Sequence, residues 1–286
     1  MKNQANRKLI SNAVFLYLMT TSIQILNLLT VPYLSRVLGP TEYGQIGLAL
    51  GYMAYVQIIL DFGFTLYATK KISENKTDKC KIEYIITAVT FIKVILAVCL
   101  GVVFLLFLYI NVFDVTLMTI LQVYLLGYLI TALLPDFYYR GMENMKSIAL
   151  RTLIVRVLFT LLIFLCVRKK EDIMFVPVCF LVGSILAFII TAADIRWKKQ
   201  ITFRWPGRKY VMSMVRSAFP YFTSRFASTF YQALNVIIIG KIYGTAPEVG
   251  YYTSSDKCLS LVKMGSSPIA DSLYPYMLTN KNYRLI

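Results

Sequence analysis

Eight stretches of about 20 or more mainly apolar residues, joined by short polar segments, leave few folds open to this chain. They run over Leu9–Ser35, Tyr43–Thr69, Ile82–Ile110, Val115–Pro135, Ser147–Val167, Ile173–Ile195, Tyr210–Ile239 and Val249–Met277, the last carrying several charges. With 58% hydrophobic and 15% charged residues, and a mean hydropathy of +0.63, the composition lies outside that of soluble domains and inside that of membrane proteins. The apolar runs are continuous rather than alternating, which excludes a barrel of ten-residue strands and predicts an all-α, polytopic bundle of about eight transmembrane helices. The first window is too long, and too poor in small-residue cleavage sites, for a signal peptide, so it is expected to stay as a span. The connecting segments are too short to hide a soluble catalytic domain.

A net charge of +16 invites a nucleic-acid reading, but the charges fall in alternate loops. Seventeen Lys and Arg residues occupy one set of loops, and five (Arg36, Arg168, Lys169, Lys170 and Lys241) occupy the other. This is the positive-inside pattern, with a cytoplasmic N-terminus and a phospholipid membrane rather than nucleic acid as the partner. In this reading Arg140, Arg151 and Arg204 are loop charges. The chain has no histidine, and its five cysteines show no CxxC spacing, so soft-metal sites and histidine acid–base chemistry have no support. There is also no GxxxxGK[ST] loop for ATP, and no cofactor is expected.

A charge at mid-bilayer costs at least about 2.5 kcal/mol on insertion scales, so polar residues within spans face protein or water. At 100° per residue, Asp256, Ser260, Lys263, Ser267 and Asp271 share one face of the eighth segment. Tyr221, Arg225, Ser228 and Gln232 form a stripe on the seventh, Gln57, Asp61 and Thr65 on the second, and Thr20, Gln24 and Asn27 on the first. Lys93 adds a cation to the third, while Arg156 lies close enough to the end of its segment to snorkel. The uncharged members of these stripes serve either as interhelical hydrogen bonds or as cavity lining. Lys93, Arg225, Lys257 and Lys263 outnumber Asp61, Asp256 and Asp271, so a cavity they shared would be cationic and suited to an anionic headgroup. Two roles are open to the three aspartates, of which Asp61 stands before the glycine of DFGF: holding a coupling ion, or pairing across the bundle.

The loop RVLGPTEYG, Arg36 to Gly44, returns as KIYGTAPEVG, Lys241 to Gly250. Such an echo about 205 positions away predicts a duplicated unit whose second copy begins near Pro206 and would run to about residue 410. Residues 1–200 are therefore expected to form a six-helix lobe, and residues 206–286 the first two helices of a second lobe in the same orientation, the chain being C-terminally truncated.

Four motifs, VPYLSRVLGPTEYG at Val31–Gly44, DFGFTLYATKKIS at Asp61–Ser73, PDFYYRGMENM at Pro135–Met145 and IIGKIYGTAPEVGYY at Ile238–Tyr252, carry a family resemblance. In this order and spacing the chain resembles the bacterial O-antigen and polysaccharide flippases, of the superfamily that includes multidrug exporters and lipid II flippases. The resemblance implies two six-helix lobes around a cationic cavity in the inner membrane. It also implies an undecaprenyl-diphosphate-linked oligosaccharide as substrate, an ion gradient as the drive, and polysaccharide polymerase and chain-length proteins as partners. Arg225, Lys263 and Lys257 are then expected to meet the diphosphate, with Lys93, Gln232, Gln24 and Asn27 around the rest of the headgroup.

An ion-coupled drug exporter of the same superfamily is the alternative, although net positive charge disfavours cationic drugs. A membrane polymerase or ligase would typically need a large outer loop, and the expected outer loops are a few residues long. A non-transporting membrane remnant is the third reading.

Overall fold

The computed structural model describes residues 21–111, 113–243 and 247–259, and within these the chain is helical with no strand. Helix α1 (21–38) ends at Gly39, whose positive φ of 83° reverses the chain so that Pro40 can open α2 (Pro40–Asp61) at the first helical position. Then follow α3 (Phe64–Glu74), α4 (Lys79–Ile110), α5 (Val115–Ala132), the short α6 (Asp136–Gly141) and α7 (Met145–Cys166). A 3-10 turn leads into α8 (Phe175–Ala193), which widens into a π turn at Asp194–Lys198. The long α9 (Arg208–Tyr243) contains Pro220, and α10 covers 247–259.

Five helical segments among the described residues are long and apolar enough to cross a membrane: Pro40–Glu74, Lys79–Ile110, Val115–Gly141, Met145–Cys166 and Lys170–Lys198. These five match the second to sixth sequence windows; α9, on the seventh, has only the shorter apolar stretch Leu234–Tyr243 among the described residues, and the first and eighth windows are described in part, as α1 and α10. Val98, Val102, Val103 and Leu106 on α4 are all more than half exposed, as residues that face lipid should be.

The second window is not one helix. It breaks at Phe62 and Gly63, both with positive φ (45° and 74°), which separates α2 from α3. Gly63 is required twice over: by its backbone, and because a Cβ there would lie 2.6 Å from the Phe222 amide nitrogen and 2.9 Å from the Ala218 carbonyl oxygen. Those atoms flank Pro220, so the break in one span packs on the proline turn of another. Around it Phe62 stacks on Phe222, ring centroids 4.9 Å apart.

Two apolar cores result. One gathers Leu38, Met53, Leu60, Leu121 and Ile163, and the other Phe64, Ile72, Ile85, Phe137 and Met214. On α2 and α3 the sequence passes from the first core at Leu60 to the second at Phe64 through Asp61. On α4 it passes from Ile92 in the second core to Ala97 and Leu100 against the first, with Lys93 between, so a polar layer lies between the cores.

The two echoing loops meet. A Cβ on Gly44 would stand 2.9 Å from the Gly250 nitrogen, a Cβ on Gly250 would run into the Pro40 carbonyl, and one on Gly47 would collide with Thr253. Residues at matching places in the two loops thus touch one another, backbone to backbone, where α2 opens and α10 begins.

The segment between α8 and α9 is strapped to α4. Glu83, 3% exposed, accepts from the Thr202 amide at 3.0 Å and pairs with Arg204 Nε at 3.1 Å. Trp205 packs edge-on against Phe91 at 4.7 Å. Arg204 is therefore an ion-pair partner rather than a freely solvated loop charge.

Candidate functional site: a cationic cavity in the polar layer

Where α2 breaks, its last carboxylate is left facing the polar layer. Asp61 Oδ1 accepts from the Thr65 amide at 3.3 Å and the Thr65 hydroxyl at 2.5 Å, which fixes its rotamer. Lys93 Nζ lies 3.9 Å from Oδ1, and Arg225 Nη1 of α9 lies 3.5 Å from Oδ2. Lys93 is 5% exposed and its ammonium stands 5.7 Å over the Phe137 ring, so a buried cation is held by one carboxylate and one aromatic face.

These groups line a cavity of about 330 Å³, together with Gln57, Thr131, Asp136, Arg140 and Thr229. A second cavity of about 280 Å³ shares the wall formed by Thr131, Leu134 and Asp136 and continues between α5, α7 and α8 to Arg151 and Arg156. Arg151, 7% exposed, donates to Asp136 at 2.7 Å and to Thr191 at 2.9 Å. Arg156 lies near the middle of α7, 5.0 Å over the Phe159 ring, and donates to Asn27, which in turn bonds Gln24 at 3.2 Å. Among the described residues of the two cavities, five cations (Lys93, Arg140, Arg151, Arg156 and Arg225) and two carboxylates, Asp61 and Asp136, line the walls. The buried Nε atoms of Arg140 and Arg156 meet no hydrogen-bond acceptor among the described residues.

Of the residues singled out in the sequence, Lys93, Arg225 and Asp61 come together. Gln24 and Asn27 come together elsewhere, on Arg156. Asp256 is exposed on α10, and Lys257 lies half-buried within electrostatic range of Asp256 and Arg156; neither lines the two cavities. Lys263 and Asp271 fall outside the described residues, as does the Gln232 side chain.

Two expectations are corrected. Arg156 does not snorkel, because its position near mid-helix puts it against Asn27 inside the bundle. Arg140 and Arg151 are not loop charges. The apolar window ends at Pro135, but the chain re-enters helix at once as α6, and α7 begins at Met145. Asp136 was overlooked for the same reason; the acid following Pro135 and the Arg fifteen residues on were the available signal. No cluster of three or more His, Cys, Asp or Glu suited to a metal occurs among the described residues.

Two curated proteins resemble the chain, both carrying the name "Putative O-antigen transporter". The Escherichia coli (strain K12) protein is 28% identical over 278 residues, covering 92% of this chain and 63% of its own length. That of Shigella dysenteriae is 22% identical, covering 95% of this chain and 68% of its own. This chain thus spans about two thirds of the relatives it matches. Among solved structures, an inward-facing multidrug resistance MATE family transporter of the MOP superfamily shares the fold, with a TM-score of 0.63 and 16% identity over 86% of this chain and 59% of its own. The family model described as polysaccharide biosynthesis protein matches residues 9–281, nearly the whole of this all-helical, multi-pass membrane chain, which belongs to that family.

Proposed function

We propose that the protein takes part in flipping a polyprenyl-diphosphate-linked oligosaccharide repeat unit, for O-antigen or capsular polysaccharide, across the bacterial inner membrane. The observation that carries this reading is that, among the described residues, five cations and two carboxylates line two adjoining cavities that share a wall within the helical bundle. Burying cations there is costly unless an anion completes the site, and a diphosphate supplies two adjacent negative groups for bidentate guanidinium contacts. Gln57, Thr131 and Thr229 offer hydrogen bonds for sugar hydroxyls. The relatives' names support a transport role over an enzymatic one. The same charge excess speaks against a cationic drug as cargo, the reading the MATE-like fold alone would allow.

Residues 1–200 form one lobe of this transporter and residues 206–286 the opening of the next, with the N-terminus cytoplasmic. Alternating access then consists of parting the Gly44–Gly250 contact on one side while the Asp61–Arg225 region closes on the other, driven by an ion gradient. Polymerase and chain-length proteins receive the product. In a strain lacking its own flippase, the gene should restore surface polysaccharide, and Arg225→Ala should lower that restoration about tenfold, the loss of one charge-assisted hydrogen bond, with membrane insertion intact. No restoration by the inserted unaltered protein rejects the reading.

A further inference from the structure

Outside the polar layer, a groove of about 410 Å³ opens between α7 and α8 beside the π turn Asp194–Lys198. The size falls within the range of small-ligand pockets, about 300–1,000 Å³. Its walls are apolar and face outward: Leu150 is 55% and Ile154 45% exposed, with Ile190 opposite. Its polar floor is already bonded within the protein. The Tyr139 hydroxyl donates to Asp194 at 2.7 Å, and Arg151 is held by Asp136 and Thr191.

The mouth is different. The π turn carries an extra residue, and both Trp197, 77% exposed, and Lys198, with its side chain 80% exposed, line the groove. Ser147 offers a hydroxyl on the facing helix, while Arg196 and Lys199 stand exposed on either side of that pair. A tryptophan at the end of an apolar span marks the headgroup level of a bilayer, and clustered cations there attract anionic lipid.

We propose that this groove is a binding site for an anionic phospholipid, with an acyl chain along Leu150, Ile154 and Ile190, the glycerol region on Trp197, and the phosphate at Lys198. Charge complementarity selects this occupant: an apolar trough open to lipid, closed at one end by three exposed cations, Arg196, Lys198 and Lys199, against one carboxylate, Asp194, which meets Lys198 at 3.8 Å and also accepts from Tyr139. The site lies on the outer face of α7 and α8, behind the cavity that Asp136 of α6 lines on the inner side. Arg151 lines both the groove and the inner cavity, so an occupied groove steadies a wall of the cavity.

The chain's two tryptophans make the site directly readable. In the full chain carrying Trp205→Phe, which keeps an aromatic ring against Phe91, Trp197 is the only tryptophan, and excitation at the red edge of its band leaves the tyrosines dark. This protein is reconstituted in phosphatidylcholine bilayers containing either brominated phosphatidylglycerol or brominated phosphatidylcholine. Quenching should show three- to fivefold preference for phosphatidylglycerol, falling to about one in Lys198→Glu/Lys199→Glu and also in Ile154→Phe, which fills the trough and leaves the charges in place. Equal quenching by both lipids in the parent protein overturns the proposal. So does a preference that survives Ile154→Phe, since the lipid would then be attracted to the charged surface and not to the groove.

Discussion

Asp61 holds two cations with opposite demands. Lys93 is buried and has this carboxylate as its ion-pair partner at 3.9 Å, whereas Arg225 is half exposed and meets it at 3.5 Å. Removing the charge in Asp61→Asn strands a buried ammonium and is expected to cost about 3 kcal/mol, read as a lower unfolding midpoint in detergent. The double variant Asp61→Leu/Lys93→Met removes both buried charges and should recover most of that stability while transport stays impaired. Arg225→Ala has the opposite profile: an exposed pair contributes at most about 1 kcal/mol, so stability barely moves while transport falls. Helical phase made Asp61, Lys93 and Arg225 legible in the sequence, because each interrupts a long apolar run. Asp136 and Arg140 were illegible because they follow Pro135, where hydropathy reports a loop, whereas Arg151, near the start of the window Ser147–Val167, was grouped with the loop charges because it lies close to that window's end. That the chain turns back into helix within one residue depends on packing, such as a Cβ at Gly141 coming within 2.6 Å of Ile72, which no window of sequence contains.

Helix boundaries in this protein are set by a few local devices, and these were read unevenly. The Gly39–Pro40 pair announces the α1–α2 junction in the sequence, since glycine supplies the positive φ and proline opens the next helix. The Phe62–Gly63 break was only half legible: the glycine could be seen, but the close approach of Ala218 and Phe222 could not. Gly63→Ala must therefore move α9 or unfold the turn, and it should destabilise the protein by about 1–3 kcal/mol, checked by thermal unfolding against Gly207→Ala, where a Cβ meets nothing within 4 Å though φ is again positive. At the start of α4 the cap is electrostatic. The Lys81 amide donates to Asp78 Oδ1 at 3.1 Å and, with the Lys81 ammonium, holds the Asp78 carboxyl below the usual carboxylate range. A depressed folded-state pKa stabilises the helix start above the unfolded value, about 3.9, and the contribution is lost as pH falls through the folded one. Hydrogen exchange at the Lys81 amide should thus be faster in Asp78→Ala than in Asp78→Asn at pH 7, with the gap between parent protein and Asp78→Ala narrowing in acid.

At the scale of the whole molecule, the glycine contact and the charged layer both join α9 and α10 to the helices that precede them. Gly44 and Gly250 bring α2 and α10 to backbone contact, and Asp61 with Gly63 joins α2 and α3 to α9 through Arg225 and the Pro220 turn. The first contact is apolar, close-packed and intolerant of even one methyl group; the second is polar and encloses the cavity. An α-helical bundle exchanging access between two sides needs one contact that closes tightly without side chains and another that can trade an internal ion pair for a ligand's charge. Gly250→Ala should therefore hold the first contact open. In a background with the five cysteines replaced, Thr229→Cys in the cavity would report this through a membrane-impermeant thiol reagent. Labelling from the side of the Gly44–Gly250 contact should rise several-fold in Gly250→Ala, while labelling from the opposite side changes little. An unchanged rate from the contact side, in a variant that still inserts, would show that this contact does not close the cavity.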